Sequence, residues 1–583
     1  MADRAPEPVG SADAFELEHV LGYSGKPNSL QAIPGEQPLA ALAVGSMIVL
    51  ADLEDTHKQE LLHGHDAAVT VLAVSRAGDQ LASGQNGAGS RDEAPVLVWD
   101  IPSRREVLRL LGHTGSVTAI AYSPDGRMLA TADSNGRVCV WDAQSGAVVA
   151  GARADPPATV VVWVGIDTSR RMPSYSLVTA GGSNIRLHTL AFDARAMQYT
   201  ISAEQFVLPS AGMMDQMFLL SHICTGLQRQ YLSAIASNGY LFAGSTASDA
   251  LVFDLASKRF KSYVQLATNG VKTLCEASQG IIAGSGDGTL QRLVASDRGW
   301  TVACEVKLDA RIEAASSADN LLLVGTCTGN VYRLRADDLK GTILSVHPVG
   351  PVVSLSFASR PDLYWSITSD GVLSSWDLNT YKQQIAARLK VRGICVAAAP
   401  GIVASGWIDG ALRVFDEECN RLWEVPTAHR GAVTAVACSS LYVVSGGEDG
   451  CVRVWSRKTG GFLHQFSEHK KPVTAVLVDV GAADVIHSCA VDRTVLSYSL
   501  KTTRRIAFHD SGATLTAMAQ RGDGDLELVT VSADGRLMVV VVIVQAAHVN
   551  RCGILIFQVQ PKTYNLACEV IAYRSHHLVG LSR

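Results

Sequence analysis

Between His429 and Trp455 the chain alternates apolar and polar or small residues in short runs. Val433, Ala435 and Ala437 fall on one side and Thr434, Val436 and Cys438 on the other, Leu441 to Ser445 forms a second β-rich run, and Cys451 to Trp455 a third. Period-2 alternation broken by turn residues predicts three short antiparallel strands. The same text returns every ~40 to 45 residues, the mark of a repeat architecture. Taking the position of Trp455 in the third run, the series is Leu50, Trp99, Trp141, His188, Phe253, Leu293, Leu334, Trp376, Phe415, Trp455, Tyr498 and Val540. From Phe253 onward the steps are 39 to 43 residues, which is the length of four short strands joined by tight turns. One step, His188 to Phe253, is 65 residues, and its SAGMMDQMFLLSHICTGLQRQY segment reads as an inserted loop or short helix.

Asn135-Gly136, Asp287-Gly288, Asp370-Gly371, Asp409-Gly410, Asp449-Gly450 and Asp534-Gly535 punctuate the third strands. Such dipeptides tolerate the positive φ of tight hairpins. The excursion from Gly84 to Pro95 is longer and predicts a protruding rim loop. A repeat of this length made only of strands predicts an all-β chain of two tandem β-propellers. Seven third strands assign residues 15–345 to a first, seven-bladed propeller, after a flexible N-terminus at 1–14. Five more assign 346–540 to a second propeller that is incomplete at its C-terminal end. Beyond Leu537 the run MVVVVIVQAAHVNRCGILIFQV offers neither a turn dipeptide nor a tryptophan at the expected spacing, so 541–583 reads as a divergent tail.

Composition narrows the function more than the fold. With 50 Lys and Arg against 55 Asp and Glu, a net charge of −5 argues against a polyanion binder, so nucleic acid is not an expected partner. The 12 cysteines are scattered without a Cys-x-x-Cys pair and are expected to be buried, reduced thiols of an intracellular protein. The N-terminal text lacks the apolar centre of a signal peptide, and no run reaches the ~18 apolar residues of a membrane span, so no membrane association is expected.

Four side chains stand where one hydrogen-bonded network can join them: His429 before the first strand, Ser445 in the second, Asp449 in the turn and Trp455 in the third. An imidazole, a hydroxyl, a carboxylate and an indole N–H satisfy one another when buried. The set resembles the structural tetrad of WD-repeat blades. Corresponding positions elsewhere are His65, Trp99, His113, Trp141, Asp370, Trp376, Asp409, His469 and Asp492. Gly64-His65 and Gly112-His113 are read as blade histidines with their turn glycines, not as a metal site. Gly284 to Gly288 lacks the lysine and helix of a phosphate loop and is read as a blade turn. Arg521-Gly-Asp523 is read as a loop. No catalytic residue, metal, cofactor or small-molecule substrate is expected. Lys258, Arg259 and Lys261, with Lys470 and Lys471, are candidate contacts for an acidic protein surface.

Particular stretches carry a narrower resemblance. ELEHVLGYSG from Glu16, LLHGHDAAVTVLAVSRAGDQLASGQ at 61–85 with its loop and VLVWD, SGWIDGALRVF at 405–415, the His429 stretch, and EHKKPVTAV from Glu468 occur in this order. They resemble the WD-repeat cilia- and flagella-associated proteins, microtubule inner proteins of axonemal doublets. That family has two seven-bladed propellers, and this chain departs from it in the fifth blade of the second. The resemblance implies a non-enzymatic architectural role in the cytoplasmic cytoskeleton, in the axoneme of a cilium or flagellum, with tubulin and neighbouring inner proteins as partners. The competing reading is a soluble WD-repeat adaptor, such as a ubiquitin-ligase substrate receptor.

Overall fold

In a computed structural model the described residues are 17–557, apart from 18, 36–37, 56, 88–92, 170, 207–228, 278–279, 297–298, 346–349, 358–359, 361, 480–483, 521–526 and 542–553. The rim-loop tip, the inserted segment within the 65-residue step, the Arg521-Gly-Asp523 loop and the C-terminal text beyond 557 therefore fall wholly or mainly outside the described residues. Every described regular element is a β-strand, and the strands form twelve four-stranded antiparallel sheets, each from four consecutive strands. We number them sheet 1 (30–63), 2 (69–110), 3 (117–153), 4 (160–205), 5 (231–265), 6 (271–307), 7 (312–345), 8 (352–388), 9 (393–425), 10 (433–466), 11 (473–510) and 12 (515–557).

All twelve residues of the Trp455 series lie in the third strand of a sheet. The lengthened step between His188 and Phe253 has a second cause besides the insertion, because the outer hairpin of sheet 4 is extended to Asn184–Asp193 paired with Gln198–Gln205. The last sheet corrects the reading of the tail. Its third strand, Leu537–Val541, pairs with Ile554–Phe557, so part of the segment beyond 540 is the fourth strand of sheet 12. An apolar run without a turn dipeptide hid a hairpin closed by a longer connection.

The turn glycines are required by geometry. Gly136, Gly288, Gly371, Gly410, Gly450 and Gly535 all adopt φ between 72° and 87°. A Cβ at Gly371 would also lie 2.2 Å from the Val391 carbonyl oxygen.

Two compact units divide at His347 and Pro348. In the first, seven sheets pack in sequence and the first strand of sheet 1 packs back on sheet 7, closing a ring. The joint is a mixed core of Leu30, Ala32, Leu42, Ala314, Leu323 and Val331, into which Tyr23 inserts. The Tyr23 hydroxyl donates to the Thr326 carbonyl at 3.1 Å, the Ala32 amide donates to Ser316 Oγ at 3.0 Å, and Arg333 donates to the Leu53 carbonyl at 2.7 Å. In the second unit sheets 8 to 12 pack in sequence, each interface filled by side chains of two adjacent sheets, such as Val444, Val454, Val473, Ile486 and Tyr498 between sheets 10 and 11.

One tie between sheets recurs. Thr70 donates to the Val117 carbonyl (2.7 Å), Thr118 to Ala158 (2.6 Å), Thr159 to Tyr231 (3.2 Å) and Thr434 to Val473 (2.6 Å). Each hydroxyl stands at or just before the start of one first strand and bonds a backbone oxygen at or near the start of the next.

Candidate functional site: buried tetrads and exposed basic turns

In sheet 10, His429 enters from the connection before the first strand and meets the turn that carries Asp449. Its Nδ1 lies 2.9 Å from Asp449 Oδ1, its Nε2 2.8 Å from Ser445 Oγ, and Trp455 Nε1 donates to the same Oγ at 2.9 Å. One polarity serves these three contacts: indole N–H to serine oxygen, serine O–H to Nε2, and Nδ1–H to carboxylate. Arg453 also donates to Asp449 Oδ2 at 2.8 Å. Burial opposes the charge of Asp449, but hydrogen bonds from Arg453, His429 and the Arg430 amide outweigh it and hold the carboxyl well below the usual carboxylate range. Burial depresses the His429 imidazole, which Asp449 only partly offsets. Space for the ring depends on Gly447, where a Cβ would lie 2.1 Å from His429 Nδ1.

The other singled-out positions are reached in five variants. In sheet 3 His113 contacts Asp133 (3.0 Å) and Thr131 (2.6 Å), and Trp141 donates to Thr131 (2.8 Å). Sheet 2 replaces the acid by an amide: His65 meets Gln85 Oε1 at 2.8 Å and Ser83 at 2.7 Å, and Trp99 donates to Ser83 at 2.8 Å. In sheet 11 His469 meets Ser488 (2.8 Å) and Asp492 (3.2 Å), with Tyr498 in the tryptophan position stacked on Phe466. Sheets 8 and 9 carry no described histidine in this place. Trp376 donates to Ser366 at 2.8 Å, while Asp370 lies in the turn. In sheet 9 Asp409 instead holds Arg413 at 2.7 Å, and Trp407, from the second strand, donates to Ser405 at 2.9 Å. Trp407 occupies the register position of Gly447, so its own ring fills the space a histidine takes in sheet 10.

Sequence reasoning did not single out Ser83, Gln85, Thr131, Asp133, Ser366, Ser405, Ser488 or the threonine ties. The hydroxyl and acid or amide positions were reachable by laying each repeat on Ser445 and Asp449. Three of the four ties were signalled by Val-Thr recurring at 69–70, 117–118 and 433–434.

A serine, histidine and aspartate in hydrogen-bonding order would suit nucleophilic catalysis only if a substrate could reach the hydroxyl. Ser445 is 0% exposed and its oxygen already accepts the indole N–H. The network holds strands together. Gly64 and Gly112 serve the same packing, since a Cβ there would lie 2.8 Å and 3.1 Å from the rings of Trp99 and Trp141. His63 points outward from the fourth strand of sheet 1.

His188 fills the tryptophan position of sheet 4 and meets Thr179 Oγ1 at 2.9 Å. Burial pushes its imidazole down to about 4. Its folded value is below the ordinary 6.5, so the unfolded chain takes up the proton first and stability drains away as pH falls. The stabilisation is complete above pH 6.5 and lost by about pH 4, with a size of about 3 kcal/mol. Denaturant titrations at pH 7.5 and 4.5 should show a smaller loss for His188→Gln than for the parent chain; equal losses would mean His188 does not carry it.

The basic residues fall into two settings. Lys258 and Arg259 sit at the turn between the third and fourth strands of sheet 5, with Lys261 just inside the fourth. Lys258 pairs with Glu204 at 2.7 Å, and Lys261 lies 4.1 Å over the Tyr240 ring. Lys470 and Lys471 follow His469 at the other kind of sheet end, beside the turn of Asp492, and both are exposed.

All-β sheets in sequence, a closed ring and buried His/Ser/Asp/Trp networks define a WD-repeat β-propeller protein. The WD domain, G-beta repeat family matches residues 104–142 and 420–456. Over most of its length the chain is a homologue of proteins named Cilia- and flagella-associated protein 52: it is 28% identical to that of Chlamydomonas reinhardtii over 85% of this chain and 79% of the relative. With that of Homo sapiens it shares 24% over 86% and 80%. It is also 24% identical to WD repeat-containing protein 90 of Homo sapiens over 81% of this chain and 27% of the relative.

Proposed function

We propose that this chain is a non-enzymatic architectural protein of the ciliary or flagellar doublet microtubule, binding tubulin and neighbouring inner proteins and stabilising the axoneme for motility. The carrying observation is the similarity along about four-fifths of the length of relatives whose shared name associates them with cilia and flagella. The physical character of the chain suits the role. Sheets locked by buried networks and by sheet-to-sheet threonine ties form rigid bodies with broad outer surfaces, which is what a wall component needs and what chemistry does not require. Tubulin is acidic, so basic turns at the sheet ends are the proposed contacts, Lys470 and Lys471 in the second unit and Lys258, Arg259 and Lys261 in the first.

Axonemes from a ciliated cell expressing the chain should retain it through high-salt extraction. Combined Lys258→Glu, Arg259→Glu and Lys261→Glu substitutions should lower the retained fraction several-fold. Release of the unsubstituted chain by salt would favour the soluble adaptor, and unchanged retention of the triple variant would remove that cluster from the contact.

A further inference from the structure

In sheets 2, 9 and 11 the fourth strand carries an ion pair beside the third-strand aromatic. In sheet 2 Glu106 stands opposite Trp99 and holds Arg109 at 2.8 Å, and Arg109 donates to the carbonyl of Gly64, just before His65, at 3.2 Å. In sheet 11 Arg505 stands opposite Tyr498 and reaches Glu468, just before His469, at 2.6 Å. In sheet 9 Arg421 stands opposite Phe415 and shares Glu424 with Arg413, whose Nε lies 3.0 Å from that carboxylate.

Sheet 10 lacks this closure. Phe462 stands opposite Trp455, Ala428 precedes His429, and Arg453 faces Gln465 where sheet 9 sets Glu424 opposite Arg413. What remains is a cleft of about 540 Å³ whose lining includes Arg430, Arg453, Trp455 and Phe462 and no carboxylate. That volume is in the range of sites that bury a small ligand or one large side chain. Asp449 is already engaged by His429, Arg453 and the Arg430 amide, and Glu448 accepts the Ala432 amide. Phe462 is 56% exposed although it meets Trp455 edge-on, and Leu463 beside it is 41% exposed. Their strand, Phe462–Phe466, is the edge of its sheet and contains no Lys, Arg, Asp or Glu, whereas the outer strands of sheets 9 and 11 carry Arg421 and Glu424, and Arg504, Arg505 and Asp510. An apolar edge without such charges is open to pairing with an added strand.

We propose that the cleft binds an extended acidic peptide of a partner protein. The peptide lies along Phe462–Phe466, sets an apolar side chain against Phe462 and Trp455, and brings to Arg430 and Arg453 the carboxylate that sheet 10 lacks. It supplies from outside what Glu424 and Glu468 supply in sheets 9 and 11, a charge-assisted hydrogen bond to an arginine. None of the lysines and arginines proposed above for the tubulin contact lines the cleft, so the two sites are tested separately.

Fluorescence anisotropy of a labelled, capped Glu-Glu-Phe-Glu-Glu peptide should rise saturably with the full chain at low salt. Gln465→Glu, which gives sheet 10 the carboxylate of sheet 9, should weaken binding about tenfold and leave the melting transition in place, and Phe462→Ala should weaken it by a similar factor. Lys-Lys-Phe-Lys-Lys should not bind, and Glu-Glu-Ala-Glu-Glu should bind several-fold more weakly. Absence of saturable binding would overturn the proposal, as would equal binding of the lysine peptide. So would an affinity indifferent to Gln465→Glu or to Phe462→Ala, because the peptide would then sit on another surface. Competition by 3-phenylpropionate as effective as that of the unlabelled peptide would also overturn it, and would make the cleft a site for small aromatic anions.

Discussion

Trp455→Ala should lower the unfolding free energy of the second unit by about 3–5 kcal/mol, the cost of truncating a large buried aromatic side chain. Trp455 is 5% exposed and packs in the joint between sheets 9 and 10 with Leu412, Val414, Val433 and Val443, edge-on to Phe462. Its removal empties that joint and leaves Ser445 without a donor. Trp455→Phe keeps most of the volume and loses the indole N–H, so it should cost nearer to 1 kcal/mol. Asp449→Ala removes the acceptor of a buried imidazole N–H and should cost about 1–3 kcal/mol. Denaturant titration followed by fluorescence separates these; equal stability of the Trp455→Ala variant and the parent would remove the packing account of the tetrad.

Tyr23→Ala should have a comparable effect on the first unit, about 3–4 kcal/mol, through a different mechanism. Tyr23 is 2% exposed and precedes the first strand, yet it reaches the second strand of sheet 7, where Gly325 makes room: a Cβ there would lie 2.1 Å from its hydroxyl oxygen. The residues around it are anchored to sheet 1, with the Ser24 amide on the Ala43 carbonyl and the Val20 amide on Gln59. Tyr23 therefore clasps the two sheets whose meeting closes the ring. Calorimetry should show a lowered transition for Tyr23→Ala and a small change for Tyr23→Phe, which forfeits one hydrogen bond. Faster proteolysis of sheets 1 and 7 should accompany the former; an unmoved transition would mean that the sheet 1 to sheet 7 packing suffices alone.

These two sites differ in how far they could be read in advance. The His429 network lies within one repeat, and its members recur at fixed spacing, so local text predicts which side chains meet. Where a repeat departs from the pattern, local text misleads. Sheet 2 uses Gln85 for the acid, and sheet 9 fills the histidine space with Trp407, because what the fold demands there is a buried donor and sufficient volume, which several residue types supply. The Tyr23 contact with Thr326 spans 303 residues and belongs to no repeat. The fourth strand of sheet 12 was missed for a related reason: its pairing with Leu537–Val541 is a matter of partner availability, and an apolar run carries no mark of whether a neighbour awaits it.

By itself the sequence determined the strand content, the repeat period, the third-strand position in all twelve sheets and the glycine turns, because alternation, tight-turn φ and spacing are local constraints. The tertiary structure decided which sheet closes on which, through Tyr23 and the sheet 1 to sheet 7 joint. It also decided that Ile554–Phe557 joins sheet 12 as its fourth strand. Those depend on what stands opposite a side chain in space, and a residue written for an interior reads the same whether or not its partner is there.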